Sequence, residues 1–175
     1  LLQSATQTQI DRISVLAKEY RNTSKSDTLR AKKLLSEIAV LCSYIKRRKH
    51  LTLLTDRDYK VAVGELERAF SESLQTLKLL NVRSTLYIDS GISMLPGKTA
   101  AAVLDFYEAV IESDFENPAS IQVSLADANG LRLSLNVRCE ADLSAFAENE
   151  NVRYYADEDE GYQHIVFFPE GGADR

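Results

Sequence analysis

The stretch Ser120–Cys139, "SIQVSLADANGLRLSLNVRC", decides the fold. Ile121, Val123 and Leu125 alternate with Gln122 and Ser124. Leu131, Leu133, Leu135, Val137 and Cys139 alternate with Arg132, Ser134, Asn136 and Arg138. A period of two marks a strand with one apolar and one polar face. Between the two runs lies "DANG", in which Asn129-Gly130 supplies the positive φ of a tight hairpin turn. These twenty residues therefore predict an antiparallel hairpin that needs a cover on one face only.

The neighbouring segments extend this sheet and provide the cover. Downstream, "VRYYA" (152–156) and "YQHIVFF" (162–168) predict a last hairpin around the acidic "DEDEG", and "ADLSAF" (141–146) a short helical turn. Upstream, "VRSTLYID" (82–89) alternates as a strand and "SGISMLPGK" reads as a loop. Residues 58–80 and 97–115 carry three-four apolar spacing and predict two helices, enough to cover one face of the sheet. The first fifty-odd residues predict two more helices. Ile10, Ile13, Leu16 and Tyr20 mark the first; Leu34, Leu35, Ile38, Leu41, Cys42 and Ile45 mark the second, with Ser26 or Asp27 as its cap and "KRRKH" (46–50) as its end. The fold class is α+β: an N-terminal antiparallel helical hairpin (1–55), a two-layer α/β sandwich (56–170) and a frayed tail (171–175). Such a hairpin cannot bury its stripe alone, so a second copy in a four-helix bundle is its expected partner.

The chain has 175 residues and a net charge of −5, which does not suit a nucleic-acid binder. Its two cysteines, Cys42 and Cys139, lie far apart in apolar patterns and predict buried free thiols in a reducing compartment. No run reaches the ~20 apolar residues of a membrane span. The sequence starts at Leu1 without a visible signal peptide, and the expectation is a piece of a longer protein. There is no GxSxG, Cys–His signature or P-loop to support nucleophilic catalysis or P-loop phosphoryl transfer.

The helix at 97–115 carries the most pointed constellation. Asp105, Glu108, Glu112 and Glu116 fall at steps of three, four and four and form one narrow stripe. Val103, Phe106, Tyr107, Val110 and Ile111 form the opposite side, which puts the carboxylates toward solvent. Like charges at i,i+4 cost only ~0.2–0.5 kcal/mol per pair, so a solvated face accounts for the stripe as well as a ligand site does. Glu65, Glu67 and Glu72 read as solvated surface. "KRRKH" reads as cations set against a helix C-terminus, with room for a docking surface or contact with acidic lipid.

Three stretches, "SEIAVLCSYIKRRKHLTLL" (36–54), "GELERAFSESLQTLKLLNVRSTLYID" (64–89) and "FYEAVIESDF" (106–115), together with the element order, resemble a sensor histidine kinase. That family joins a dimerisation hairpin to an ATPase domain of the gyrase–Hsp90–kinase–MutL type. The resemblance covers about residues 30–170. It implies an N-box on the helix at 97–115, with Glu108 as the catalytic Glu and Glu112 where the family has the Asn that holds Mg²⁺. It implies that Asp142, in "CEADLS", is the Asp that recognises adenine. ATP and Mg²⁺ follow as implied cofactors. A homodimer through the hairpin and a response regulator follow as implied partners. The location it implies is cytoplasmic, with any membrane contact through segments outside this sequence.

The departures are specific. No glycine stands in the residues directly after Asp142, no GxG follows Gly130, and the segment between Asp142 and the last hairpin is too short for a phosphate-covering lid. Neither His50 nor His164 sits in a phosphoacceptor box, so an acceptor histidine would lie upstream of Leu1. The expected function is therefore a histidine-kinase-like module with a degenerate ATPase domain, or a non-catalytic relay working through protein contacts.

Overall fold

The computed structural model describes residues 6–23, 26–55, 60–113, 119–127, 130–157 and 159–169. Its elements run α1 (Gln7–Thr23), α2 (Thr28–Thr55), β1 (Lys60–Ala62), α3 (Val63–Lys78), β2 (Arg83–Ile88), β3 (Met94–Pro96), α4 (Gly97–Ser113), β4 (Ser120–Ala126), β5 (Arg132–Arg138), a 3-10 helix (Ser144–Glu148), β6 (Val152–Asp157) and β7 (Tyr162–Phe167). The chain is α+β, a helical hairpin followed by a sheet with helices on one face.

The strands fall where the alternation places them. Five of them form one sheet in the order β2-β4-β5-β7-β6. The β2–β4 pair is parallel, with β3 and α4 in the connection, and the other pairs are antiparallel. Register brings Leu86, Val123, Leu135, Ile165 and Tyr154 into one row across the core face. At the β4–β5 turn Gly130 adopts φ 98°, as a tight hairpin demands, while Asn129 lies outside the described residues. Helices α3 and α4 cover the sheet's core face. Phe70 and Tyr107 meet between them at 4.8 Å, and Phe106 stacks on Phe167 of β7 at 4.3 Å. Burying such a side chain contributes about 1.5–3 kcal/mol.

Four expectations are corrected here. Residues 60–62 are extended, not helical, and pair antiparallel with β3 inside the stretch read as a loop. Val61 and Leu95 are both buried by this pairing, and three residues are too few to show a period of two. Helix α3 stops short of Leu80. Asn81 sits in the left-handed region at φ 63°, and the Val82 amide donates to Leu77 O across the end of the helix. The second helix does not end at "KRRKH" but runs on to Thr55, which makes that basic run mid-helix and removes the macrodipole explanation for it. Cys42 is exposed and Cys139 half-buried rather than buried, and neither forms a disulfide.

Helix α2 has two apolar stripes. Leu34 and Leu41 pack with Leu16 of α1, and Asp27 caps the helix by accepting the Arg30 amide at 2.9 Å. On the other side Val40, Tyr44 and Leu51 join the main core with α3 and α4. The hairpin is thus packed on the helical layer of its own sandwich.

Candidate functional site

The acidic stripe is carried by α4, in whose first turns Gly97, Thr99, Ala100 and Ala101 are small and buried. Asp105, Glu108 and Glu112 share one face as the spacing predicts, and Glu116 lies outside the described residues. That face is not the solvent side. The hairpin covers it, because α2 packs on α4 and brings its own polar groups to the carboxylates.

Each carboxylate has a different environment. Asp105 accepts the Tyr44 hydroxyl at 2.9 Å and the Arg48 Nε–H at 2.7 Å, both from α2. Glu112 accepts the Gln9 amide at 2.9 Å and lies 3.3 Å from Arg12 Nη1, both from α1; Arg12 also pairs with Glu37 of α2. Glu108 sits between these two contacts and is only 2% exposed. Among the described residues its Oε1 finds no hydrogen-bond partner, and neither does Gln9 Oε1. Burial first, and then the neighbouring Glu112, push the Glu108 carboxyl well above the usual carboxylate range, against a smaller opposing effect of Arg12. A buried carboxyl without a cation of its own holds its proton. Burial and Asp105 likewise raise the Tyr44 phenol.

The basic run of α2 completes the docking. Arg47 pairs with Glu72 of α3 and reaches Glu65 at 3.9 Å; Lys46 lies 3.2 Å from Glu72 and His50 3.6 Å from Glu65. Glu65 and Glu72 are therefore hairpin partners rather than solvated surface, whereas Glu67 is exposed. Hydrogen bonding from Arg47 is the main cause that holds the Glu72 carboxyl down to about 2.

Asp142 stands apart from this cluster. It is exposed at the turn after β5, where its Oδ1 accepts the Ser144 amide at 2.9 Å and that bond lowers its pKa. Gln163 fixes the same turn by donating to Ala141 O at 2.6 Å and accepting the Leu143 amide at 2.8 Å. The 3-10 helix that follows lies against α4 through an edge contact of Phe146 with Phe106 at 5.5 Å. A packed aromatic occupies the segment where the resemblance would place a lid.

In this arrangement Glu108 and Glu112 face the hairpin, and Asp142 lies apart from them. The crevice beside Glu108, between α2, α3 and α4, measures about 190 Å³ including space open to solvent. Ligand pockets run to about 300–1,000 Å³. Glu112 is already engaged by Gln9 and Arg12, and among the described residues no three His, Cys, Asp or Glu side chains form a metal-holding group.

Sequence reasoning placed the three carboxylates together but missed Gln9, Arg12, Tyr44 and Arg48. The available signal was charge complementarity between a basic run on one helix and an acidic stripe on another.

Comparison with solved structures finds a bacterial phosphotransferase at TM-score 0.56 and 9% identity, covering 94% of this chain and 90% of that one. The blue-light activated histidine kinase of Erythrobacter litoralis EL346 matches at TM-score 0.51 and 14% identity, over 89% of this chain and 63% of that one. This chain has a histidine-kinase-like fold. At these identities the likeness concerns the fold alone. No protein-family model matches the chain, and no curated protein does.

Proposed function

We propose that this histidine-kinase-like module dimerises and relays signals through protein contacts, with its ATPase-like sandwich serving as the platform for its own hairpin. The observation that carries this reading is the occupation of the α4 acidic face by Gln9, Arg12, Tyr44 and Arg48. Two sequence facts support it: Glu112 stands where the resemblance calls for Asn, and no glycine stands in the residues directly after Asp142 to let backbone approach a nucleotide. Val15 of α1 and Leu29, Leu35 and Leu53 of α2 are exposed, which supports a homodimer through the hairpin. A response regulator is the partner that the resemblance suggests. No helix among the described residues is long and apolar enough to cross a membrane; a cytoplasmic location is what the resemblance suggests.

One observation favours a second reading, in which the hairpin gates a working kinase. Glu108 is buried with an unpartnered oxygen, so hairpin release would free the residue that the resemblance makes catalytic. Titration of Mg²⁺-ATP, followed by heat and by thermal shift, separates the two. A ligand present at 100 times its Kd stabilises the native state by about 2.7 kcal/mol. The relay reading expects no saturable binding up to millimolar nucleotide, in the native chain or in an Arg12→Glu/Arg48→Glu variant. Binding by the variant alone would establish the gate. Micromolar binding by the native chain would overturn the relay reading.

A further inference from the structure

Among the described residues no element covers the sheet face turned away from α3 and α4, and its charge is unlike that of the rest of the chain. The register places Arg83 of β2, Arg132 and Arg138 of β5 and Arg153 of β6 on this face. Asp157 is the one acidic residue that the five strands contribute to it. Four arginines and one aspartate give +3 on one surface of a chain whose net charge is −5. A surface that serves only for solubility would mix the two signs.

Between the arginines lies a flat, uncharged band locked to itself. Asn136 donates to Gln122 Oε1 at 3.3 Å and meets His164 Nδ1 at 2.5 Å, and the His164 ring stacks on Tyr155 at 4.3 Å. Arg153 lies over the Phe168 ring at 5.3 Å. Arg132 and Arg138 stand at opposite ends of β5, about 20 Å apart at ~3.4 Å per residue. Guanidinium groups arrayed around a hydrogen-bonded polar platform suit bidentate capture of carboxylates on one extended partner.

We infer that this open face is a docking surface for an acidic polypeptide segment, whose carboxylates engage Arg83, Arg132, Arg138 and Arg153. The aromatic placement disfavours single-stranded nucleic acid. The rings of Tyr155, His164 and Tyr162 pack against one another on β6 and β7, and the other exposed ring, Tyr87, stands on the opposite edge strand, about 19 Å from Tyr155 at ~4.8 Å per strand. Successive bases need closer stacking platforms than that. This surface is independent of the α4 face and of whether nucleotide binds there.

The test is titration of the ¹⁵N-labelled chain with a decaglutamate peptide, observed through its amide resonances. The proposal expects shifts concentrated on the strands of the five-stranded sheet, with those carrying the arginines, β2, β5 and β6, among the most affected. It expects at least tenfold weaker binding in Arg83→Glu/Arg138→Glu, and no loss in the charge-matched hairpin variant Lys18→Glu/Arg21→Glu. The dispersion of the same spectrum reports whether a variant is folded; if the first pair is not, Arg132→Glu/Arg153→Glu replaces it with the same expectation. Absence of binding, shifts confined to α1 and α2, equal losses in sheet and hairpin variants, or tighter binding of a ten-nucleotide thymidine strand than of the peptide would each overturn it.

Discussion

Replacing Glu108 with Gln isolates the electrostatics of the hairpin–sandwich contact. Glu108 is 2% exposed, has one unpartnered oxygen, and lies beside Asp105 and Glu112 without a cation of its own. Its folded-state pKa is raised well above 4.5, so the folded protein retains a proton that the unfolded chain releases. The sign follows from linkage: this residue's contribution to stability is fully present below the unfolded pKa and is lost as pH rises toward the folded one. One proton of difference between the states changes stability by about 1.4 kcal/mol per pH unit. Gln has nearly the same shape and does not titrate, so its constant cost, an amide in the same buried position, cancels from the slope. Urea denaturation of both proteins at a series of pH values above 4.5 should show the native chain losing stability relative to Glu108→Gln as pH rises, by at most about 1.4 kcal/mol per unit while the folded carboxyl keeps its proton. Parallel stability–pH lines would refute the claim that Glu108 is buried as the neutral acid.

Two further perturbations probe other parts of the contact. Glu72 is held down to about 2 chiefly by Arg47, so its stabilising contribution is present above the ordinary carboxylate range and fades as pH falls toward 2. Arg47→Ala should flatten that acid limb, by less than ~1 kcal/mol because Glu72 is over a third exposed, as acid denaturation would report. Leu41→Ala removes a fully buried side chain between α1 and α2 and should cost about 2–5 kcal/mol by urea denaturation.

Much of the sandwich was legible because each of its main strands obeys a period of two. Ser120–Ala126 and Arg132–Arg138 lie where alternation puts them, since one face packs on α3 and α4 and the other meets solvent. Short elements escaped: Lys60–Ala62 and Met94–Pro96 are held by each other, a non-local pairing that neither segment announces. The site was legible as a stripe but not as an environment. A helical wheel shows that Asp105, Glu108 and Glu112 share a face; it does not show what packs there. An acidic face and a basic run each look solvated alone, and the apolar residues Val40, Tyr44 and Leu51, which seat α2 on the helical layer, bring the two together. Asp142 was found by its position after a strand, yet its carboxylate serves the local turn through the Ser144 amide.

The central claim is that the hairpin sits on the α4 acidic face of its own chain. A double-mutant cycle on Arg48 and Asp105 tests this most directly, because these residues are 57 positions apart in sequence and meet at 2.7 Å only through that docking. Urea denaturation of Arg48→Ala, Asp105→Ala and the double variant should give a coupling energy of at least ~1 kcal/mol, as expected for a partly buried charged hydrogen bond. Additivity within ~0.3 kcal/mol would contradict the docked arrangement.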